Sequence, residues 1–335
     1  MRIATYNVEW FNSLFDDDGA LLFDQGWSGR YNVTREQQLT ALGVVFSRLD
    51  ADAIMIIEAP DHSRARRTHT ALENFANHFG LRANTVLIGF SNDTQQEIAF
   101  LYDANVIKAQ HRPIASVEAP RFDERFEIDL DVDARLDTVT FSKPPLELSL
   151  QLKDGRCISA IGVHLKSKAP HGARTPTDAM RLSIANRRKQ LAQSIWLRRR
   201  ITQLLEDRQS VMVLGDFNDG PGLDEYENLF GRSSIEIVMG QDLVPALGLF
   251  DPHAAELLGT GQDCNTFSAQ FYDHKTQTSL KALLDYIFVS KNLGLAPEDW
   301  KIWNPVDPHG AEFDKELRQA LLLGSDHFPV VLDFS

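Results

Sequence analysis

The chain has 335 residues, of which 43% are hydrophobic and 24% are charged, an ordinary globular composition. Its 34 Lys and Arg residues face 47 Asp and Glu residues, which gives a formal net charge of −13. The composition excludes a collagen-like or wholly disordered chain, and the acidic balance argues against binding duplex nucleic acid through bulk charge. Any phosphate chemistry must therefore depend on a local site, in which a metal cation would offset the carboxylates.

The sequence shows no sign of secretion or of a membrane span. Cys157 and Cys264 allow one disulfide bridge but no disulfide framework. No stretch reaches the ~20 apolar residues that cross a bilayer. The start lacks a charged leader followed by a long apolar run, so no signal peptide is visible and we expect a cytoplasmic protein. No repeat or long linker divides the chain, and we also expect a monomer.

Strands and helices alternate in the predicted order of elements. The opening RIATYNV predicts a strand, and Thr34 is the expected N-cap of a helix over 34–48. The apolar run 51–60 predicts a strand buried on both faces, followed by a helix over 66–79 and a strand over 97–103.

Later in the chain, strands over 145–152 and 157–165 flank a clear hairpin turn. A long helix is expected over 178–207, with its many arginines facing water. The remaining predicted strands cover 210–219, 283–290 and 325–334. Strands thus occur both in hairpins and in helix-separated pairs, which predicts an α/β fold of two mixed sheets packed face to face with helices outside.

Residues 118–137 form an acidic segment in which apolar and acidic residues alternate from Phe126 to Asp133. This alternation predicts an edge strand with one solvated face. A calcium loop is disfavoured, because Ala134 and Thr140 occupy the positions where that loop needs Gly and Glu. We interpret the segment as an acidic elaboration of the domain.

Polar residues recur at the places where predicted strands end. A single ionisable residue there is compatible with a satisfied structural pair, but a set on several strands is harder to explain that way, since burying a charge is costly without a partner or a metal. Packing of the sheets would bring the strand ends together at one rim. The set comprises Asn7, Glu58, Glu97, His164, Asp216, Asn218, Asp285, Asp326 and His327.

The chemistry of this set favours hydrolysis of a phosphate ester. Oxygen ligands without clustered cysteines favour Mg²⁺ (or Mn²⁺) over Zn²⁺. Histidines near carboxylates suit proton transfer near neutral pH, because a carboxylate fixes the tautomer and the orientation of the ring. A metal cation would neutralise charge that develops on the phosphoryl oxygens during in-line attack of water.

The sequence resembles the endonuclease/exonuclease/phosphatase superfamily, which includes DNase I-like nucleases, abasic-site endonucleases, sphingomyelinases and inositol polyphosphate 5-phosphatases. The resemblance spans nearly the whole chain, and its blocks are IATYNVEW, IIEAP, VHLKSK, VLGDFND, LLDYIFVS and GSDHFPV, in the family's order. It implies a four-layer DNase I-like α/β sandwich and one catalytic domain over residues 1–335.

The resemblance also implies roles for the oxygen ligands of the set. Glu58 would be the principal metal ligand, helped by Asn7 and Asp326. Asp216 and Asn218 would bind or orient the phosphate, the attacking water or a second cation, so Asp216 is also a candidate metal ligand and Asn218 a candidate substrate-binding residue.

The two histidines have implied partners. His327, held by Asp285, matches the family's general base, and His164 matches the histidine of the DNase I-like members. Glu97 matches the carboxylate that pairs with that second histidine. The division of acid and base roles between the two histidines stays open.

The sequence departs from the family at two positions, and two further residues are predicted to contact substrate. Ile57 stands where the family often has Gln before the metal-binding Glu, and Lys143 stands where Arg is frequent. A lysine keeps the charge but loses the two-pronged hydrogen-bonding geometry of Arg. Lys166, and Arg174 in the stretch 169–177, are candidates for contact with the substrate.

These observations predict a Mg²⁺- or Mn²⁺-dependent phosphodiesterase whose partner is a phosphate-ester substrate. His164 and the HLKSK block resemble the DNase-like branch, which favours nuclease activity and hence nucleic acid. The alternative is a phosphatase or phosphodiesterase that acts on a small or lipid-derived phosphate, and the net charge of −13 favours it. A catalytically silent protein that binds a phosphorylated ligand is the third candidate, which the intact set disfavours.

Overall fold

The computed structural model describes residues 1–92, 94, 96–130, 136–220, 230–260, 266–273, 277–306 and 313–334. The strands in these residues are β1 (Arg2–Asn7), β2 (Ala53–Ala59), β3 (Thr85–Ile88), β4 (Glu97–Tyr102), β5 (Ile107–His111), β6 (Phe126–Ile128), β7 (Asp137–Val139), β8 (Leu146–Leu152), β9 (Cys157–His164), β10 (Val211–Asp216), β11 (Leu249–Phe250), β12 (Ala269–Asp273), β13 (Thr278–Ala282), β14 (Asp285–Ser290), β15 (Trp300–Ile302) and β16 (Val330–Asp333). The α-helices are α1 (Arg35–Leu49), α2 (Thr68–His78), α3 (Pro176–Glu206), α4 (Ser234–Met239), α5 (Pro252–Thr260) and α6 (Lys315–Gly324).

Two six-stranded sheets form the centre of the fold, with strand orders β15-β16-β1-β2-β4-β3 and β11-β14-β10-β9-β8-β5. In the first sheet β1 and β2 are parallel, and in the second β9 and β10 are parallel. The other pairings in both sheets are antiparallel. Both sheets are therefore mixed, as the sequence predicted.

The sheets pack face to face through an apolar core that includes Met55, Ile98 and Leu214. The contact is close at Gly162, where an added Cβ would lie 2.4 Å from the sulfur of Met55. Apolar residues of α1, α2 and α6 cover the outer face of the first sheet, and those of α3, α4 and α5 cover the second. This layering confirms the predicted α/β sandwich. No helix in the described parts of the chain is long and apolar enough to cross a membrane.

Helix α3 differs from the sequence expectation, because its arginines do not all face water. Arg187 and Arg200 are 1% and 0% exposed, and Arg198 is also buried. The Nη1 group of Arg200 donates to Oε1 of Glu147 at 2.5 Å, and that of Arg198 donates to the carbonyl of Val238 at 3.0 Å. A guanidinium group can enter the interior when carboxylate and carbonyl acceptors meet it there, which helical periodicity alone does not reveal.

The acidic segment contains a small two-stranded unit, in which β6 pairs antiparallel with β7. Its apolar residues pack on the outer side of the second sheet. The ring of Phe126 stacks on Trp196, with 5.2 Å between the ring centroids. The alternation around Phe126–Ile128 is thus confirmed as a strand, whereas residues 131–135 of the predicted strand lie outside the described residues.

Candidate active site

The predicted polar set gathers where strands of both sheets end at a common rim. Parallel strands β1 and β2 end there with Asn7 and the Glu58–Ala59 pair, and β9 and β10 end with His164 and Asp216. The antiparallel neighbours β4 and β14 begin at the same rim. Asp216 lies opposite His164 in one pairing and opposite Asp285 in the other, so sheet register alone joins three members of the set.

The backbone has unusual geometry at two positions of the rim, Gly215 and Glu58. Gly215 has φ of +139°, and an added Cβ would lie 2.1 Å from the carbonyl oxygen of Val163, so only glycine fits before Asp216. Glu58 has φ of 62° at a bulge between Ile57 and Ala59. A left-handed non-glycine residue costs free energy and is concentrated at functional sites. Asn218 in the block GDFND has φ of 50°, so that block and IIEAP each contain a left-handed non-glycine residue of the predicted set.

The rim opens into a cleft of about 830 Å³. Its floor is polar and its sides are partly apolar. The cleft is lined by Asn7, Glu9, Trp10, Glu58, Gln96, Ser142, Lys143, His164, Lys166, Lys168, His171, Gln193, Asp216, Asn218, Phe271, Leu280, Asp326 and His327, together with Leu165, Ser167, Ala169, Ala282 and Leu284.

Asp216 is the centre of the floor. Its Oδ2 accepts hydrogen bonds from Nδ2 of Asn7 at 2.9 Å and Nδ2 of Asn218 at 3.1 Å, and its Oδ1 accepts from the Asn218 backbone N–H at 2.7 Å. Nε2 of His164 lies 3.6 Å from Oδ2. Burial, reinforced by the charge of Asp285, raises the pKa of Asp216 to about 7. The structure thus joins residues from four different sequence blocks around one carboxylate.

His327 and Asp285 form a buried pair, with Nδ1 of His327 2.8 Å from Oδ2 of Asp285. A carboxylate can only accept, so the Nδ1–H group donates to Asp285, and Nε2 is the ring nitrogen that Asp285 does not contact. Burial works to lower the pKa of His327, but the carboxylates of Asp285, Asp216 and Asp326 outweigh it and raise that pKa well above its ordinary value.

Ser268 completes this pair and was missed by sequence reasoning. Its hydroxyl donates to Oδ2 of Asp285 at 2.8 Å and accepts the backbone N–H groups of Leu284 and Asp285 at 3.0 and 2.9 Å. The side chain is fully buried. A lone serine in the stretch TFSAQ carries no local signal, and only the tertiary fold places it beside Asp285.

His164 has the opposite environment. Burial lowers the pKa of His164 well below its ordinary value, and the charges of Lys143 and His327 act in the same direction. Its Nδ1 lies 3.1 Å from Nζ of Lys143, an ammonium group that can only donate. Nδ1 is therefore the acceptor, and the neutral ring carries its hydrogen on Nε2, the atom nearer Asp216. The two histidines of the cleft are thus set to different protonation states.

Lys143 and Gln96 connect His164 with Glu58. Nζ of Lys143 donates to Oε1 of Gln96 at 2.5 Å, and Nε2 of Gln96 donates to Oε2 of Glu58 at 2.5 Å. Burial lowers the pKa of Lys143 and raises that of Glu58, although the opposite charges of the two residues work against both shifts. Gln96 was not among the predicted site residues.

Several oxygen atoms of the floor are buried and have no hydrogen-bond partner within the described chain. They are Oδ1 of Asn7, Oδ1 of Asp326 and Oδ1 of Asp285. Asp326 also raises the pKa of Glu58 through its charge, so these two carboxylates are close neighbours. Unpaired acceptors beside an excess of carboxylates are the environment that a hard cation fits.

A second arrangement also has the geometry of a metal cluster. Asp216, Asp285 and His327 offer ligand atoms that lie within 4.8 Å of one another. In this group, however, Nδ1 of His327 and Oδ2 of Asp285 are already committed to each other. Asn7 and Asp326 each have a buried oxygen atom without a partner in the described chain, and Glu58 lines the same cleft, so these three residues could hold a hard cation.

Glu97 is not where the resemblance implied. Oε2 of Glu97 accepts from Nδ2 of Asn92 at 2.8 Å, and Glu97 is not among the residues that line the cleft. The partner near Nδ1 of His164 is Lys143, so the expected Glu97–His164 pair is replaced by a Lys143–His164 contact. Burial raises the pKa of Glu97 to about 7.

Of the three predicted substrate contacts, the structure brings Asn218 and Lys166 to the cleft but not Arg174. Lys166 lines it, and burial lowers its pKa. Arg174 is exposed and lies outside the lining, because the chain there is already turning into α3, whose N-cap is Thr175.

Helix α3 holds the two loops that carry Lys166 and Asn218. Nε2 of the buried Gln190 donates to the carbonyls of Lys166 at 2.9 Å, Asn218 at 3.0 Å and Phe217 at 3.3 Å. Oε1 of Gln193 accepts the backbone N–H of Lys166 at 2.9 Å. These glutamines position the loops. In the sequence they look like ordinary residues of a solvated helix face, so no pattern identified them.

Two mixed sheets with a carboxylate- and histidine-lined cleft at their rim define a DNase I-like sandwich. A model of the Endonuclease/Exonuclease/phosphatase family matches residues 4–327, and the chain belongs to this family of phosphate ester hydrolases.

The chain is similar to several solved structures, of which the first named here supports the fold. Truncated TDP2 from Caenorhabditis elegans is 14% identical, with 98% of this chain and 95% of that chain covered and a TM-score of 0.51. An AP endonuclease from Archaeoglobus fulgidus is 15% identical, with 100% and 99% covered and a TM-score of 0.48. A mannosyl-6-phosphatase from Bacteroides thetaiotaomicron is 13% identical, with 99% and 98% covered and a TM-score of 0.49. No curated protein matches the chain in sequence.

Proposed function

We propose that this protein is a divalent-metal-dependent phosphodiesterase that cleaves nucleic acid. The observation that supports it is the convergence of the His327–Asp285 pair, the Asp216–His164 contact and the unpaired oxygens of Asn7 and Asp326 in one cleft. Oppositely perturbed titratable groups in one cleft are typical of acid–base catalysis.

The metal would be Mg²⁺ or Mn²⁺, held by Glu58, Asn7 and Asp326, with Asp216, which accepts a hydrogen bond from Asn7, as a further candidate ligand. When bound, such a cation neutralises the phosphate and the carboxylates and stabilises charge that develops on the phosphoryl oxygens. Members of this family generally use divalent metals, which supports the assignment.

His327 and Asp216 are the candidates for activating water. A bound cation would offset the carboxylates that raise the pKa of His327, so that its neutral form, with a free Nε2, becomes available. Nε2 would take a proton of the attacking water as the new P–O bond forms and the P–O bond to the leaving group breaks, Asp285 would stabilise the resulting imidazolium through Nδ1, and the leaving oxygen would take a proton from solvent. Asp216, whose carboxylate is fixed by Asn7 and Asn218, would accept a hydrogen bond from the same water and align it with the phosphorus.

His164, Lys143 and Lys166 are the candidates for holding the phosphate. The Nε2–H group of His164 would donate to a phosphoryl oxygen, and it needs no change of protonation state because its ring is neutral. Lys143 and Lys166 supply positive charge at the same wall of the cleft. Asn218 Nδ2 would turn toward the phosphate or remain on Asp216, and in either case the backbone N–H of Asn218 keeps the carboxylate aligned.

Hydrolysis of bis-p-nitrophenyl phosphate with Mg²⁺ or Mn²⁺ tests this proposal. We expect turnover that EDTA removes and the metal restores, and that Asp216→Asn and His327→Gln each abolish. Asp207→Asn, at the exposed end of α3, is the matched control and should keep full activity. Mg²⁺ should also raise the melting temperature of the wild type but not of Glu58→Gln. A wild type that hydrolyses no phosphate ester with any common divalent metal would support the silent binder.

A small or lipid-derived phosphate ester is the second candidate substrate, and the net charge of −13 favours it, because long-range repulsion slows association with a polyanion. Plasmid DNA, RNA, a nucleotide panel and phospholipid head groups should be compared at equal enzyme concentration. Turnover of a small ester without cleavage of either nucleic acid would select this candidate. A single domain over residues 1–335, a monomeric state and a cytoplasmic location stay predictions.

A further inference from the structure

Trp10 is a large aromatic side chain that lies at the edge of the cleft and remains 48% exposed. It is the last residue of the block IATYNVEW that carries Asn7, and its backbone is left-handed, with φ of 59°. A bulky residue in this conformation is an outlier that the surrounding structure must maintain. Burial does not explain the conformation, because half of the side chain faces solvent.

Three neighbours fix the indole in place. Its Nε1 donates to Oε1 of Glu9 at 3.0 Å, and Glu9 is in turn paired with Arg30. Gly29 packs against the ring so closely that an added Cβ would lie 2.5 Å from Cγ of Trp10. Gly29 also has φ of +109°, a conformation that side chains rarely adopt. The ring is therefore held rigidly while one part of it is presented to the cleft.

The hairpin of β12 and β13 contributes further apolar surface to the same cleft. Phe271 and Leu280 line the cleft from this hairpin, and Leu280 is 61% exposed. The ring of Phe271 contacts His327 at 5.6 Å between centroids. A phosphate at the polar floor would therefore have apolar and aromatic surface available for the groups attached to it.

We propose that Trp10 stacks on an unpaired base of the substrate, so that the substrate class is single-stranded nucleic acid or its terminal nucleotides. This inference rests on the proposed phosphodiesterase function. A base has a flat π face that stacks well on indole, and stacking of this kind tolerates any base sequence. In a duplex both faces of each base are covered by neighbours, so an unpaired base is the form that can reach the ring.

The test compares single-stranded oligothymidylate with a chain of the same length in which abasic tetrahydrofuran units replace the nucleosides. The variants are Trp10→Leu, which keeps apolar volume, and Trp10→Phe, which keeps an aromatic face. We expect Trp10→Leu to lower kcat/KM for oligothymidylate by about 10- to 100-fold and to leave the abasic chain unchanged. Trp10→Phe should restore most of the loss.

Three results would overturn the inference. They are an equal loss on both chains, no loss on either chain, and faster cleavage of a duplex than of the single strand by the wild type. Binding provides a readout that is independent of turnover: in EDTA, oligothymidylate should quench the tryptophan fluorescence of the wild type more than that of Trp10→Phe. If the wild type hydrolyses bis-p-nitrophenyl phosphate but neither oligonucleotide chain, the stacking role fails while the hydrolase function stands. If it hydrolyses none of them, the proposed function itself fails.

Discussion

Two clusters of buried charge lie three residues apart at the end of β10, and they are built in opposite ways. Asp216 has Asp285 and Glu58 as charged neighbours, and burial together with Asp285 raises its pKa to about 7. Asp219 is equally buried, but its oxygens accept from Nζ of Lys168 at 2.6 Å and lie 2.7 Å from Nη1 of Arg187. Burial works to raise the pKa of Asp219, yet these two cations lower it.

The difference distinguishes a candidate active site, around Asp216, from a structural ion-pair cluster, around Asp219. The cluster of Asp219 is neutralised by side chains of the same protein, so it needs no further ligand and stabilises the loop after β10. The cluster of Asp216 contains more carboxylates than cations and leaves acceptor atoms of Asn7 and Asp326 unpaired. Perturbed pKa values in a cleft mark functional sites more often than fully paired charges do, because a stable fold alone gives no reason to retain uncompensated charge.

The largest expected effect is the loss of activity in Asp216→Asn. Removing the carboxylate that orients water and faces His164 should lower kcat for a phosphodiester by roughly 10⁴-fold, about 5 kcal/mol in activation free energy. Because the wild-type carboxylate is buried among like charges, the free energy of unfolding in EDTA at pH 7 should stay equal or increase. Steady-state kinetics and urea unfolding measure the two quantities. If Asp216→Asn lost several kcal/mol of stability but kept its activity, Asp216 would be a structural residue, and the roles assigned to the two clusters would be wrong.

The motifs GDFND, SDHFPV and VHLKSK identified residues that lie at the floor of the cleft, because these motifs place polar residues at the ends of strands. Alternating and apolar runs located β1, β2, β4, β8, β9 and β10 within a few residues of their observed bounds. The capping box at Thr34 confirmed the expected start of α1. These features are local, so a single sequence contains them.

Long-range contacts could not be predicted from the sequence alone. Ser268 and Gln96 act through partners 17 and 38 residues away, and no local pattern identifies those partners. The hairpin β12–β13 and the short strands β3 and β15 were not predicted, because their segments are short and weakly alternating. The segment 325–334 forms a strand only over Val330–Asp333, since Pro329 and the contacts of His327 keep the preceding residues in a loop.

Loss of stability in Asp219→Asn is the second effect in size. This change leaves the buried guanidinium of Arg187 without its carboxylate, and breaking such a pair costs about 3–5 kcal/mol. We expect urea unfolding to show this loss, while kcat per folded molecule at low temperature stays within a few-fold of the wild type. Asp207→Asn is again the exposed control. An activity loss as large as that of Asp216→Asn, without a change in stability, would place Asp219 in the reaction.

Gln190 links the two clusters, so its replacement should produce a smaller effect on both measurements. Its Oε1 accepts from Arg187 Nη1 at 3.0 Å, and its Nε2 holds the carbonyl of Asn218 at 3.0 Å. We expect Gln190→Ala to lower kcat by about 10- to 100-fold through misplacement of Asn218, and stability by about 1–3 kcal/mol through unpaired carbonyls. Gln203→Ala, on the same helix and far from the cleft, is the comparison variant. An activity loss with unchanged KM and intact stability would indicate direct contact with the reacting groups instead.

The smallest expected quantity is the change of stability per pH unit, on which the two aspartates should act with opposite signs. The folded pKa of Asp219 is below its unfolded value of about 4, so its contribution is fully present above pH 4 and is lost as the pH falls through the folded pKa. The folded pKa of Asp216 is about 7, so in EDTA its burden on stability grows as the pH rises from about 4 to 7.

Each group changes the slope of unfolding free energy against pH by at most about 1.4 kcal/mol per pH unit, because it exchanges one proton. Relative to the wild type, Asp219→Asn should therefore flatten the fall in stability below pH 4, and Asp216→Asn should gain stability progressively between pH 4 and 7. Urea unfolding in EDTA across pH 3 to 8 measures both slopes. Equal slopes of unfolding free energy against pH in the two variants would mean that neighbouring cations neutralise both carboxylates to the same extent. The distinction between the active-site cluster and the structural cluster would then no longer hold.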